Sequence, residues 1–456
     1  MKTYIIVGII LVALVALLAT NKKLVETLKN IYKIEELRQR ILFTLGLLLI
    51  YRLGSFVTLP GVDHSILEQW TQNFANDGSS LMGLLNIFSG GAFSQASIFA
   101  LGVMPYITAS IIIQLLGIMV PYFRKMQREG ESGRRKMNQW TRFLTIAVLL
   151  LQAPAYLATQ VISSGAVVAN GDFLGIANGQ FIVPAVIILI AGTMFIMWLG
   201  EKITDRGIGN GISLIIMIGI VARLPQSFLQ ELMFQTTGGG SIIMLLVELV
   251  FLALVFMLAI AIVQAVRKIP VQYAKRIVGN KQYGGVRQYI PLKLNAANVM
   301  PIIFAQALMF IPGLIWGGQW LDITSFWYNF TLVVLVIAFT YFYTAIIVNP
   351  QMMADDMKRN GGFIPGVKPG KSTVTYIDDI MTRITLPGSV FLAIITILPA
   401  IAMSLGITQG FAYFFGGTSL LIMVGVVLDT LKQIESYLLM RHYDGLMKTG
   451  RIQGRY

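Results

Sequence analysis

Long apolar runs alternate with short polar segments along nearly the whole chain. Most runs approach the roughly 20 apolar residues that an α-helix needs to cross a bilayer. Ten such runs lie at 41–58, 96–120, 143–160, 181–199, 208–222, 242–266, 297–317, 329–349, 385–405 and 411–431. Another apolar run, at 4–19, precedes this set. The pattern predicts ten transmembrane helices plus an extra N-terminal hydrophobic segment, 1–20.

Composition supports this interpretation and limits the kinds of catalytic and metal site that the chain can form. The chain is 56% hydrophobic and only 12% charged, whereas about 25% of the residues in a typical soluble domain are charged. Its runs are continuous rather than alternating in short strands, which favours an all-α polytopic membrane protein over a barrel. There is no cysteine and there are only two histidines, His64 and His442. Thiol catalysis is thereby excluded, and we expect no catalytic residues, metal or cofactor.

The positive charges predict the orientation of the spans. Alternate loops carry no Lys or Arg, and cytoplasmic loops of membrane proteins are the ones enriched in these residues. Both ends of the ten-span unit should therefore be cytoplasmic. Of the 35 Lys and Arg residues, 32 lie in the segments 20–40, 121–142, 200–209, 267–296, 350–384 and 432–456. The three exceptions are Lys2, Arg52 and Arg223.

The ten spans divide into two sets of five. Because five is odd, the second half would be inserted upside down relative to the first, as in an inverted repeat. Apolar residues at helical spacing with lysines around them predict an amphipathic cytoplasmic helix before the first span. The predicted parts are this helix at 21–40, an N-terminal half at 41–223, an external hinge loop at 224–241, a C-terminal half at 242–431 and a cytoplasmic tail at 432–456.

One apolar segment is too short to span. The stretch at 81–90 ends at the pair Gly90-Gly91, and Gly102 and Pro105 follow where the next helix could bend. Irregular backbone at membrane depth must be shielded by protein or line a cavity. The sequence therefore predicts a stopper inside the seam between the two halves.

The spans contain few ionisable residues, so the predicted seam is mainly Val and Ile. Such a lining suits a narrow apolar constriction that blocks ions by dewetting. The uncharged polar residues in the spans allow two interpretations, interhelical hydrogen bonding or a polar strip where two helices part. These residues are Thr108, Ser110, Gln114, Asn298 and Gln306.

The two longest cytoplasmic loops, 267–296 and 350–384, are basic and interrupted by Gly and Pro. These features predict projecting hairpins rather than linkers. Membrane orientation and contact with anionic lipids are one explanation of the charge. We favour docking of a large anionic partner, because RNA phosphates attract such surfaces without sequence readout.

The residues resemble those of the SecY family, the channel subunit of the bacterial protein-export translocon. The resemblance runs from about residue 24 to the C-terminus. It rests on the stretches YRLGSFVTLPGVD (51–63), NIFSGGAFSQASIFALGVMPYITASIIIQLL (86–116), REGESGRRKMNQWTR (128–142), GTMFIMWLGEKITDRGIGNGIS (192–213), YAKR (273–276), FYTAIIVNP (342–350), GGFIPGVKPG (361–370) and YFFGGTSLLI (413–422).

The resemblance implies a clamshell of two inverted halves around a central pore, with a plug at 81–93. It places plug residues at Leu84, Leu85, Asn86, Ile87, Phe88, Ser89, Gly90 and Gly91, and a pore ring at Val103, Ile107, Ile216, Ile303 and Ile422. It places a lateral gate in segments 96–120 and 297–317, with Thr108, Gln114, Asn295 and Asn298. The basic residues expected to dock the ribosome or motor are Arg267, Lys268, Lys275, Arg276, Lys281, Arg287, Lys358, Arg359 and Lys368.

The partners and location also follow from the resemblance. They are the subunits SecE and SecG, the SecA ATPase motor, the ribosome through its RNA, signal sequences of precursor proteins and membrane lipids. The location is the bacterial cytoplasmic membrane. The implied function is translocation of unfolded precursors and lateral insertion of membrane proteins.

The chain departs from the family pattern at two places. Lys368 stands where the family typically has Arg, which keeps the charge but loses the forked donor geometry. The family usually begins near the amphipathic helix, so 1–20 is unexpected. It is an extra span with its N-terminus outside, an upstream start, or a signal peptide whose cleavage the following lysines disfavour. We prefer the extra span.

Two other functions compete with the channel. A solute transporter with broken helices predicts ionisable groups at the seam, and the scarcity of charge inside the spans argues against it. An intramembrane enzyme needs a catalytic set, and no His-Glu-x-x-His motif, cysteine or convincing serine–histidine set occurs. We therefore expect a channel and not an enzyme.

Overall fold

The structure is a computed structural model. It describes residues 34–63, 65–67, 86, 89–167, 178–237, 241–273, 276–278, 281–283, 287–316 and 324–448. The predicted N-terminal segment 1–20, most of the amphipathic helix 21–40 and part of the plug lie outside these residues. The chain divides into two compact units. Unit 1 is Met1–Asp77, Leu84–Gly240 and Val426–Tyr456, and unit 2 is Gly78–Gly83 and Ser241–Gly425.

Unit 1 is helical throughout its regular elements. Its helices are α1 (Glu35–Gly54), α2 (Met104–Met119), α3 (Pro121–Arg128), α4 (Glu131–Tyr156), α5 (Asn178–Arg206) and α6 (Gly211–Thr237). A π-helical turn, Leu157–Ile162, continues α4. Residues 89–103, between α1 and α2, form a run of turns in which Ser97 pairs with Thr58 as an antiparallel bridge.

Unit 2 combines helices with a small antiparallel sheet. Its helices are α7 (Ile242–Gln264), α8 (Met300–Trp316), α9 (Phe326–Ile347), α10 (Pro350–Arg359), α11 (Lys371–Ser404) and α12 (Gln409–Ala412). The strands are β1 (Val266–Tyr273), β2 (Arg276–Val278), β3 (Lys281–Tyr283), β4 (Arg287–Lys293) and β5 (Gly362–Phe363). One sheet has the order β4-β1-β5 and a second pairs β2 with β3. The last helix, α13 (Gly417–Lys448), begins in unit 2 and continues in unit 1 from Val426.

Local chemistry explains two of the helix starts in unit 2. The Ser241 side chain accepts a hydrogen bond from the Ile243 N–H at 3.2 Å and caps α7. Asn349 caps α10 by accepting from Gln351 and Met352, and Pro350 occupies the first helical position. Both residues satisfy backbone donors that a helix leaves unpaired at its N-terminus.

In the described part of the chain, seven helices are long and apolar enough to span a membrane. The bent pair α2–α3, with a 100° break, would make eight. This confirms a polytopic, mainly helical membrane protein, whereas the count of ten remains a prediction. Of the expected gate helices, α2 has 16 residues, and α8 is described from Met300 to Trp316.

Several predicted boundaries are corrected, because apolar runs mark the bilayer and not the ends of helices. Helix α6 continues to Thr237, so most of the predicted hinge loop 224–241 is helical. Residues 35–40 belong to α1 rather than to a separate surface helix. The predicted span 96–120 becomes helical only at Met104, with Pro105 in its first turn. Loops 121–142 and 350–384 and tail residues 432–448 are largely helical, since charged helix ends are solvated outside the membrane.

Candidate functional site

The predicted helix break lies in unit 1 as a compact run of turns at residues 89–103. We call these residues, together with Asn86, the break segment. Gly90 and Gly91 have φ values of 65° and 97°, a backbone region that favours glycine. Ser89, Gly90, Gly91 and Ala92 are all buried. Buried irregular backbone must have its polar groups satisfied. The described backbone at 89–92 is therefore shielded by protein, whereas the stopper at 81–90 remains a prediction.

Arg52, near the end of α1, binds the first glycine. Its Nη1 donates to the carbonyl oxygen of Gly90 at 2.8 Å. The guanidinium also lies 4.6 Å from the centre of the Phe56 ring. Tyr51, the preceding residue, donates through its hydroxyl to the Ser89 carbonyl at 3.4 Å. The C-terminal end of α1 thus contacts the carbonyls on the N-terminal side of the break.

Arg223, in α6, binds the same segment. Its Nη2 donates to Asn86 Oδ1 at 3.0 Å and to Ser94 Oγ at 3.2 Å. Asn86 Oδ1 also accepts from the Ser94 N–H at 3.2 Å, and the Ser94 hydroxyl donates to the Gly91 carbonyl at 3.0 Å. Hydrogen bonds made by charged groups contribute about 1.5–3 kcal/mol each. This network therefore closes the turn and fixes it to α6.

Close packing leaves no room for side chains at the glycines. A Cβ on Gly90 would come within 2.8 Å of the Gly219 Cα in α6. A Cβ on Gly91 would come within 2.7 Å of the Arg223 Nη2. The glycine pair thus provides both the turn conformation and the close approach to α6.

The rest of the break segment is held by aromatic rings. Phe99 is buried between Tyr51 and Phe195, with its ring centre 6.0 Å from each of theirs. The hydroxyl of Tyr156 in α4 donates to the Phe93 carbonyl at 2.7 Å. A Cβ on Gly54 would collide with the Phe99 ring. Helices α1, α4 and α5 therefore support the segment from different directions.

Sequence reasoning missed Arg52 and Arg223, although a signal was present. They are two of the three basic residues outside the predicted cytoplasmic segments. Within the described residues, neither forms an ion pair with a carboxylate. Their hydrogen-bond acceptors are neutral oxygens of the break segment and the Ser55 hydroxyl.

The expected pore-ring residues fall into both units. In unit 1, Val103 is buried immediately before α2, Ile107 is half-buried in its first turns, and Ile216 is buried in α6. In unit 2, Ile303 is half-buried in α8 and Ile422 is buried in α13. The ring they would form together remains a prediction.

The expected gate residues differ in exposure. On α2, Thr108 donates its hydroxyl to the Met104 carbonyl at 3.1 Å, and Gln114 is exposed. Before α8, Asn295 is buried and its Nδ2 donates to the Asn298 carbonyl at 3.2 Å. Asn298 itself is exposed with φ +53°. Thr108 and Asn295 thus bond within their own units.

The two predicted docking loops form one structure within unit 2. Strand β1 pairs with β4 in the first loop and, through Gln272 and Tyr273, with β5 of the second loop. Side chains from both loops share one hydrophobic cluster. It contains Ile269, Val271, Leu292, Met357, Ile364, Ile377 and Met381, all buried. The first loop is a hairpin as predicted, whereas the second is a helix, a short strand and a longer helix.

The described basic side chains of the docking loops face outward. Arg267, Lys268, Lys358, Arg359 and Lys368 are all exposed. Lys275 and the side chains of Arg276, Lys281 and Arg287 lie outside the described part. So do plug residues Leu84, Leu85, Ile87 and Phe88. A partner could therefore reach every docking side chain that the structure describes.

Comparison with known sequences gives the family. The SecY family profile matches residues 97–431. The protein translocase subunit SecY of Corynebacterium glutamicum is 42% identical over 445 residues, covering 91% of this chain and 98% of that protein. The subunit of the same name from Streptomyces scabiei is 44% identical over 443 residues, with the same coverage.

Solved structures give the same fold. A structure described as a protein conducting channel aligns with a TM-score of 0.57 at 17% identity, covering 87% of this chain and 91% of that one. Sec61 in the canine ribosome-channel complex aligns with a TM-score of 0.53 at 16% identity, with the same coverage. On the sequence comparisons, the chain belongs to the SecY family and is a protein translocation channel rather than an enzyme.

Proposed function

We propose that the first part of the break segment, Asn86 and residues 89–93, belongs to the plug at 81–93 of this channel and closes the pore in the resting state. The observation that carries the proposal is a buried, non-helical segment hydrogen-bonded to α1 and α6 through side chains. Glycines at the turn allow close packing, and the contacts with α1 and α6 are all non-covalent. It can therefore block the pore at rest and be displaced when a precursor enters.

The apolar residues Val103, Ile107, Ile216, Ile303 and Ile422 form the pore ring. A narrow apolar ring excludes hydrated ions by dewetting, yet deforms around an extended polypeptide. Helices α2 and α8 form the lateral gate. Polar residues lie on or beside them at Thr108, Gln114, Asn295 and Asn298. We expect α2 and α8 to part along this polar strip and admit a signal sequence.

The partners are those of a bacterial translocon. SecE and SecG complete the channel, SecA supplies energy, and the ribosome binds the basic docking loops. The shared cluster of Ile269 and Ile377 supports this, because it presents both loops as one rigid basic surface. RNA phosphates suit such a surface, and a structural relative is described in a ribosome-channel complex. The location is the bacterial cytoplasmic membrane, with docking loops and both core termini inside.

Protease-protected import tests the proposal. The chain is co-purified with SecE and SecG and reconstituted into vesicles with SecA, ATP and a secretory precursor. We expect the precursor to become protected from added protease only when its signal sequence is intact. Uptake of a small solute along an ion gradient, without protection of the precursor, would instead support a transporter.

A further inference from the structure

We propose that Arg52 and Arg223 are positioning residues that latch the plug closed from two helices. This inference rests on the proposed role of the break segment as a plug. Arg52 binds the Gly90 carbonyl from α1. Arg223 binds Asn86 and Ser94 from α6. The two cations therefore hold the glycine turn from two different helices.

The hydrogen bonds of the latch are of a kind that can be broken when the channel opens. Its acceptors are a carbonyl, an amide and a hydroxyl, which bind a guanidinium less strongly than a carboxylate does. No carboxylate among the described residues pairs with either arginine. An arginine–carboxylate pair in this partly buried place would be more costly to separate. With neutral acceptors, the free energy needed to break the latch is low enough for an entering signal sequence to supply it.

The absence of cysteine allows a direct test of plug position. Ser89 is 3% exposed, and Ser89→Cys introduces a single, nearly isosteric thiol at the turn. A membrane-impermeant fluorescent maleimide then reports exposure of the turn in the full chain in native membranes. In the Ser89→Cys background, Arg52→Met and Arg223→Met should each label about tenfold faster, the factor that corresponds to 1.4 kcal/mol. Arg52→Lys and Arg223→Lys should restore slow labelling, because they keep the charge.

A variant that tightens the latch excludes misfolding as the cause. Asn86→Asp places a carboxylate opposite Arg223 and should slow labelling below that of the parent. The slowing should vanish in the Asn86→Asp, Arg223→Met double variant. Arg135→Met is the control, since Arg135 is exposed on α4 and, among the described residues, pairs with Glu131 alone.

The outcomes separate the latch from the plug. Unchanged labelling in Arg52→Met and Arg223→Met, or slowing by Asn86→Asp that persists without Arg223, would overturn the latch. Faster labelling together with a larger resting ion current supports both the latch and the plug. Faster labelling with no change in current supports the latch and shows that the segment is not the plug.

Discussion

Arg223 and Asn86 are 137 positions apart in sequence, and the arginine Nη2 donates to the asparagine Oδ1 at 3.0 Å. This contact ties a helix of the N-terminal half to the glycine turn of the break segment. With the Arg52–Gly90 bond, it explains why two arginines occur where the other basic residues of the chain do not. Under the proposed plug role, these polar contacts hold the resting state together with the aromatic packing around Phe99.

Gly90→Ala should open the resting channel. The new Cβ meets the Gly219 backbone, which cannot move aside as a flexible side chain can. A non-glycine residue with positive φ costs about 1–2 kcal/mol in addition. Single-channel recording should show a resting current several-fold above that of the parent.

Gly130→Ala is the matched control for Gly90→Ala. Gly130 also has positive φ, at 73°, but a Cβ there meets nothing within 4 Å. It should leave the resting current unchanged. A Gly90→Ala current no larger than that of Gly130→Ala would contradict a role for the close contact between Gly90 and α6.

Ile303→Asp should raise the resting ion leak about tenfold or more, because a charge wets an apolar constriction. Conductance of planar bilayers containing the channel measures the leak. Ile303→Val keeps the site apolar and should not change it. A leak from Ile303→Asp equal to that of Ile303→Val would remove Ile303 from the pore ring.

Much of the fold could be predicted because hydropathy is a local property. The positions of α7, α8, α9 and most other spans follow from apolar runs alone. The ends of the helices could not be predicted from hydropathy, since α4 begins at Glu131 and α13 continues to Lys448, both within charged sequence. A run of polar residues looks the same whether it is a loop or a solvated helix.

The site was only partly predictable for a similar reason. The glycine pair indicated a break, because glycine conformation is local. The contacts of Arg52 and Arg223 with the break span 38 and 137 residues. The pairing of β1 with β5 likewise joins Tyr273 to Gly362. Such contacts depend on packing that one sequence does not reveal.

Ile269→Ala should loosen both docking loops. Ile269 lies in the cluster they share, and truncating such a buried side chain costs about 2–5 kcal/mol. Hydrogen exchange should rise in β1 and β4 and also in β5. Ribosome binding should weaken although no exposed charge has changed.

Tyr289→Ala is the control for Ile269→Ala. Tyr289 lies on β4 and is 58% exposed, so its loss leaves the cluster intact. Exchange should stay at the parent level in all three strands. If Ile269→Ala affected only β1 and β4, the two loops would be independent docking elements.

The most direct test of the channel is a disulfide between the pore and a polypeptide in transit. Ile303→Cys provides a single thiol in the chain, and a second cysteine is placed in the mature part of a stalled precursor. We predict a disulfide that requires a functional signal sequence. Ile394→Cys, at an exposed position on α11, should form none. A precursor that engages the complex but links to neither site, or to both equally, would contradict a path through the pore ring.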